Sequence, residues 1–302
     1  MDDLTDFALN EEYKHLQSIG DKLAEISSLI AWKPFRPILE SMYHVIVMFK
    51  MLVLQQWHGL SDAELERQCI DRISFRKFLS FPEYVPDSTT VWSFRKRIID
   101  NGIDEQVWDE MQKQLDALGL KIKKGMIQDA TFIHPNPGHA KVDEPRGKDA
   151  KTRRSKDGTW TKKGGKSYFG YKFHTIIDKD YELIRRFKTT TASVHDSQID
   201  LSELNEVVYR DRGYFGAIAK GFAATMQRAV RGHPLEISDI LRNKRISSQR
   251  VPGERVYSVV KEVFNAGKVL LTTVERGNVK MLMTAFCFNL HQLKTLKHKG
   301  II

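Results

Sequence analysis

Apolar residues recur at three- and four-residue spacing from the start of the chain to about residue 122, with few strand-like alternations, and this periodicity predicts a helical N-terminal region. Its most hydrophobic segment, Pro37 to Gln56, reads as a buried helix. Ser61-Asp-Ala-Glu64 has capping-box spacing, in which a serine hydroxyl takes up a free helix-start amide, and predicts another helix. Asp87-Ser-Thr-Thr90 opens a further one that carries the basic run Arg95-Lys96-Arg97. Beyond Lys121 the pattern changes. Met126 to Ile133, Tyr171 to Ile177, Leu183 to Thr191 and Glu206 to Tyr209 carry β-branched and aromatic residues between turn signals and predict strands, with a further short strand over Phe222 to Val230. Helices are predicted over Gln198 to Asn205 with Asp196 or Ser197 as cap, over Pro234 to Arg245, over Glu254 to Asn265 after Pro252-Gly253, and over Val279 to Leu296.

Three strands in a meander, a helix, two more strands and closing helices make an α/β pattern with an antiparallel portion. The order resembles that of a ribonuclease H-like domain. That resemblance implies a mixed five-stranded sheet with flanking helices, and carboxylates on the first strand, at the end of the fourth and on a later helix. The expected division is an all-helical domain over residues 1–122 and an α/β domain over 123–302. A segment from His134 to Ser167 interrupts the meander. It interleaves basic residues, Arg153, Arg154, Lys162 and Lys163 among them, with prolines, glycines and Trp160. So polar a segment cannot bury enough surface to fold alone, and it is expected to be a mobile loop that tracks phosphates, with Trp160 stacked on a base; a passive surface insertion is the competing reading.

The formal charge of +10 and a pI near 9.4 predict attraction to a polyanion, nucleic acid before a membrane surface. Arg95 and Arg97 read equally as DNA contacts and as a solvated helix end placed to suit the dipole. Cys69 and Cys287 lie in apolar surroundings, which argues against a disulfide framework or thiolate zinc site and fits a reducing cytoplasm. The acidic N-terminus does not read as a signal peptide, and Met42 to Leu54 is too short to span a bilayer. Lys163-Gly-Gly-Lys166 is too short to cradle a nucleotide phosphate, and no small-molecule substrate is expected.

Three acids stand out against this background: Asp129 in Gln-Asp-Ala-Thr131, Asp211 in Arg210-Asp-Arg-Gly213, and Glu254 in Arg250-Val-Pro-Gly-Glu254. Singly, the two aspartates suit turns at strand ends and Glu254 suits a helix start, where the dipole favours an anion. Jointly, oxygen ligands from strand ends and a helix are what a pair of Mg²⁺ ions needs. Glu262 competes for the third place but lacks the helix-start position. Asp196 of the His195-Asp196 pair reads as a cap, and His174 as structural.

These residues occur in the order and spacing of a known family. Arg250, Glu254 and Lys261 match the Arg-x3-Glu-x6-Lys part of its signature, with Ser247 where the signature has tyrosine; Tyr84-Val-Pro-Asp-Ser-Thr-Thr90, Tyr168-Phe-Gly-Tyr-Lys172 and His195-Asp-Ser197 complete the likeness. The chain resembles an insertion-sequence DDE transposase, close to the groups numbered four and five, over nearly its whole length. The resemblance implies metal-dependent cleavage at the ends of a mobile element and strand transfer into target DNA. Asp129, Asp211 and Glu254 would hold two Mg²⁺ or Mn²⁺ ions, and Arg250 and Lys261 would hold phosphates. It further implies a homodimer or higher oligomer on terminal inverted repeats, in the cytoplasm of a bacterium or archaeon. A nuclease on the same fold and a non-catalytic DNA-binding derivative are the alternatives.

Overall fold

The helical periodicity before residue 122 is realised as α1 (Leu4–Ile19), α2 (Lys22–Ser27), α3 (Phe35–Leu39), α4 (Val45–His58), α5 (Asp62–Asp71), α6 (Ile73–Phe78), α7 (Ser88–Asp100) and α8 (Asp104–Ala117), in a computed structural model that describes residues 4–39, 45–122, 125–138 and 155–302. The Ser61 hydroxyl accepts from the Glu64 amide at 3.2 Å and Asp87 from that of Thr90 at 2.6 Å, so both predicted helix starts are capped by the expected side chains. The predicted helix Pro37 to Gln56 is covered by α3 and α4, with residues 40–44 outside the described residues. Its apolar character is spent in the core, where Met48, Phe49 and Met51 to Leu54 are almost fully buried. Arg95 is partly buried on α7. It forms an ion pair with Asp62 and donates to Gln55, because its position on α7 faces α4 and α5, whereas Arg97 is exposed.

Two compact units divide the chain, Met1–Gly119 with Asn289–Ile302, and Leu120–Phe288. The return of the C-terminal segment to the helical unit has a polar component: Glu25 accepts from Lys294 at 2.8 Å and pairs with His298 at 2.6 Å.

The second unit is built on β1 (Gly125–Pro135), β2 (Thr159–Lys163), β3 (Lys166–Asp178), β4 (Ile184–Thr191), β5 (Val207–Arg210), β6 (Phe222–Thr225) and β7 (Lys268–Val269). The five predicted strands form the order β4-β3-β1-β5-β6, with β1 antiparallel to β3 and parallel to β5. The mixed α/β expectation thus holds, and two strands are added to it: β2 extends the outer half of β3, and β7 pairs with the far end of β1.

β2 overturns the mobile-loop expectation for the second half of the basic segment; residues 139–154, Arg153 and Arg154 included, lie outside the described residues. Polarity alone misjudged it because the anchors are distant in sequence. The Lys156 amide donates to Thr272 O at 2.7 Å, Tyr171 Oη donates to Asp157 at 2.7 Å, and the turn is closed by Gly164 and Gly165, both at positive φ.

Two helix predictions are also corrected. Over 198–205 only a single 3-10 turn, Asp196–Gln198, forms, and its cap is His195 rather than Asp196 or Ser197. The backbone beyond it is held by side chains instead of by itself. Buried Gln128 donates to Ile199 O at 2.5 Å and accepts from the Leu201 amide at 3.3 Å, while Asp200 takes the Ser202 amide. Further on, no helix starts at Pro252: α9 runs unbroken over Ile237–Ser258 and continues as a π turn, Val259–Val263. An interior proline forfeits one helix hydrogen bond at a cost of about 3 kcal/mol, and burial of Ile246, Val256, Tyr257 and Val260 against the sheet offsets it. The last helix, α10 (Val274–His298), extends the predicted one at its start.

Gly170, where β3 passes β1, has φ +135°, and a Cβ there would stand 2.2 Å from Pro135 Cδ and 2.4 Å from Ile133 O. Gly170→Ala is therefore expected to destabilise the protein by roughly 3 kcal/mol through combined strain and overpacking, read by chemical denaturation; a change within ordinary surface values would contradict this packing.

Candidate active site

The parallel pairing of β1 with β5 sets the geometry. Ile127 is opposite Tyr209, so the next positions place Gln128 beside Arg210 and Asp129 beside Asp211 as β5 ends. The first of these contacts is a hydrogen bond, Arg210 Nη2 to Gln128 Oε1 at 2.8 Å. Strand alternation sends Gln128 and Asp129 to opposite faces. The Gln128 face carries a polar network in which fully buried Arg210 also pairs with Asp200. The Asp129 face receives α9, which packs against β1 and β5.

Close approach of α9 depends on Gly253, whose built Cβ would lie 3.0 Å from Ile127 Cγ2. One turn earlier, Arg250 Nη2 donates to Asp129 Oδ2 at 2.6 Å, and Asp129 Oδ1 accepts from the Ala130 amide at 2.8 Å. Arg250 was expected on phosphate; its side chain is only 14% exposed and its guanidinium is turned to this carboxylate. Asp211 caps a short turn, its Oδ1 accepting from the Gly213 amide at 2.8 Å. The Asp129 pKa is raised above the usual carboxylate range, first by burial and also by the charge of Asp211; Arg250, the Ala130 amide and Lys163 oppose the rise. Two phenols adjoin the acids. Tyr257 is buried with its hydroxyl 2.6 Å from Thr175 Oγ1, and both Tyr257 and Tyr214 are pushed up by burial first and by the Asp129 charge next.

Glu254 does not lie at a helix start. It is exposed on α9, one turn beyond Arg250, and no dipole argument for an anion applies to it there. Lys261 falls within the π turn, which unwinds the two-turn alignment with Glu254, and its charge lowers the His134 pKa after burial does. Among the described residues no three of His, Cys, Asp and Glu stand close enough to hold a metal. The donor set that strand pairing brings together is Asp129 and Asp211. Two adjacent carboxylates, one desolvated and raised by the other's charge, fit a hard divalent cation, which would relieve their repulsion.

Of the other residues singled out in the sequence, Lys163 acts on Asp129 through its charge. Lys162 and Lys163 are exposed at the tip of the β2–β3 hairpin, and Trp160, 62% exposed, lies 5.2 Å from the Phe169 ring. Asp196, read as a cap, instead accepts from buried Lys172 at 2.8 Å. His174 is buried, as its structural reading requires, with Nε2 2.8 Å from Thr190 Oγ1 and its pKa lowered to about 4, mainly by burial. The sequence reading missed Gln128 and Arg210; the position of each beside an acid was the available signal. It also missed the stack of Phe132 on Tyr168, whose ring centroids are 4.8 Å apart, with Lys163 and Lys172 near the Phe132 ring.

Comparison with known families agrees with this organisation. The family described as Transposase DDE domain matches residues 122–290, more than half of the chain, and the one described as Transposase domain (DUF772) matches residues 11–97. No solved structure matches.

Because the folded-state pKa of Asp129 is raised, its ionised form costs stability above that pKa, and the cost vanishes as pH falls below the unfolded value. Asp129→Asn is therefore expected to melt higher than wild type at neutral pH in chelator, with the difference shrinking toward acid pH. Thermal melts over a pH series check the sign, and a lower-melting variant at neutral pH would contradict it.

Proposed function

The chain belongs to the DDE transposase family, whose members use divalent metal to cleave DNA and transfer its strands, and we propose that Asp129, Asp211 and Glu254 are its metal-binding triad. The observation that carries this reading is the side-by-side placement of Asp129 and Asp211 at the end of two parallel strands, beneath a helix that carries Glu254 one turn from the residue that grips Asp129. Two Mg²⁺ ions, for which Mn²⁺ substitutes, supply Lewis-acid activation of the attacking oxygen and stabilisation of the leaving oxygen when bound. Arg250 fixes the orientation of Asp129 and opposes the rise that burial imposes on its pKa. Lys163 adds positive charge beside Asp129 and Lys261 adds it beside His134 farther along β1, charge suited to DNA phosphates, and Trp160 with Lys162 extends that surface along the hairpin. The substrates in this reading are the terminal inverted repeats of an insertion sequence and a target duplex, handled by a homodimer or higher oligomer in the bacterial or archaeal cytoplasm. The helical unit contributes end recognition or subunit pairing.

Asp129→Asn, Asp211→Asn and Glu254→Gln are each expected to reduce cleavage of a DNA carrying the element's end by at least about 10²–10³-fold while binding persists, because each carboxylate acts on the transition state and affinity comes from the basic residues. Near-normal turnover by Glu254→Gln together with a dead Glu262→Gln would move the third ligand to Glu262. Cleavage without joined products would make the protein a nuclease. In the same assay series, Mn²⁺ at one hundred times its dissociation constant should stabilise wild type by about 2.7 kcal/mol, and this gain should be lost in Asp129→Asn and Asp211→Asn.

A further inference from the structure

A groove of about 480 Å³ runs between α9 and the corner that follows Asp211, and none of the residues assigned above to metal or phosphate lines it. Its volume lies within the roughly 300–1,000 Å³ range of ligand sites. Met226, Ile240 and Val251 supply apolar surface, while Arg212 and Lys244 supply positive charge, and among the described residues no carboxylate lines it. Arg212 and Lys244 are exposed, and so are Ile240 and Val251, 54% and 60%. Apolar side chains beside two cations complement a ligand that has both an apolar face and negative charge. The groove is also well founded. Asn243, 3% exposed, accepts from the Gln227 amide at 2.7 Å and donates to Gln227 O at 2.9 Å, which clamps the turn after β6 to α9. The groove begins at the residue next to Asp211, so a strand lying in it continues directly to the paired aspartates.

We propose that this groove binds a single-stranded segment of the DNA next to the scissile phosphate, its sugar and base on Met226, Ile240 and Val251 and its phosphates on Arg212 and Lys244. Alternating apolar and anionic surface at nucleotide spacing is what a single strand offers and a closed duplex does not, since the duplex hides its base faces. Ser247, at the signature tyrosine position, lines the groove and leaves it open. The inference rests on the transposase reading for its substrate but on separate residues for its evidence.

The test uses the full chain, a labelled dT20 strand and a duplex carrying the element's end. Arg212→Ala combined with Lys244→Ala should make the log-affinity versus log-salt slope for dT20 shallower by about 1.4, two phosphate contacts at ~0.7 each on single strands. Ser247→Trp, which changes no charge, should weaken dT20 binding with the slope unaltered, and both variants should cleave the duplex end more slowly than wild type. All three substituted positions are exposed, and an unchanged thermal melt confirms folding. A wild-type slope in the double variant, or full dT20 affinity in folded Ser247→Trp, overturns the groove as a strand site even where wild type cleaves. If wild type fails to cleave while both variants still lose dT20 binding, the groove stands and the catalytic reading falls.

Discussion

Pairing β1 in parallel with β5 forces the carboxylates of Asp129 and Asp211 together at a strand end that α9 then covers. Burial raises the pKa of Asp129, and the charge of Asp211 adds to the rise. The surrounding structure answers this repulsion from several directions. Arg250 reaches Asp129 from the helix, the Ala130 and Gly213 amides donate to the two carboxylates, and Lys163 adds a field from the hairpin. A carboxylate desolvated beside a second acid is costly for the fold and useful for chemistry, since a cation that binds there would regain what the fold gave up.

Helix α9 is where packing and function meet. It approaches the sheet closely because position 253 has no side chain, and it stays unbroken through Pro252 because the apolar residues on both sides of the proline are buried. The same helix therefore delivers Arg250 to Asp129 on β1, carries Glu254 one turn farther on, and supplies one wall of the groove after Asp211. A helix broken at Pro252, as the local sequence suggests, would uncouple these tasks.

The opposite face of the sheet is held by polar groups. Gln128 replaces a helix by binding the backbone of Ile199 and Leu201, and buried Arg210 joins Gln128 to Asp200. Networks of this kind are weak sources of net stability but strong sources of specificity, because each member left unpaired would carry a desolvation penalty. Here the network fixes the connection that leads into β5 and so fixes where Asp211 emerges.

Much was legible in the chain alone. Periodicity located the helices before residue 122 and the five core strands, Ser61 and Asp87 marked helix starts, and the spaced motifs around Asp129, Asp211 and Glu254 carried the family likeness. These are short-range signals, set by rotation per residue and by hydrogen bonds within a few positions. Tertiary structure alone decided what depended on partners far along the chain. It turned Arg95 to Asp62, Arg250 to Asp129 and Asp196 to Lys172, dissolved the helix predicted after His195, joined the two predicted around Pro252, and anchored β2 through Tyr171 and Thr272. Side-chain charge can be read from composition, but whether that charge faces solvent, DNA or a buried carboxylate is settled only by the burial energy and hydrogen-bond satisfaction of the whole fold.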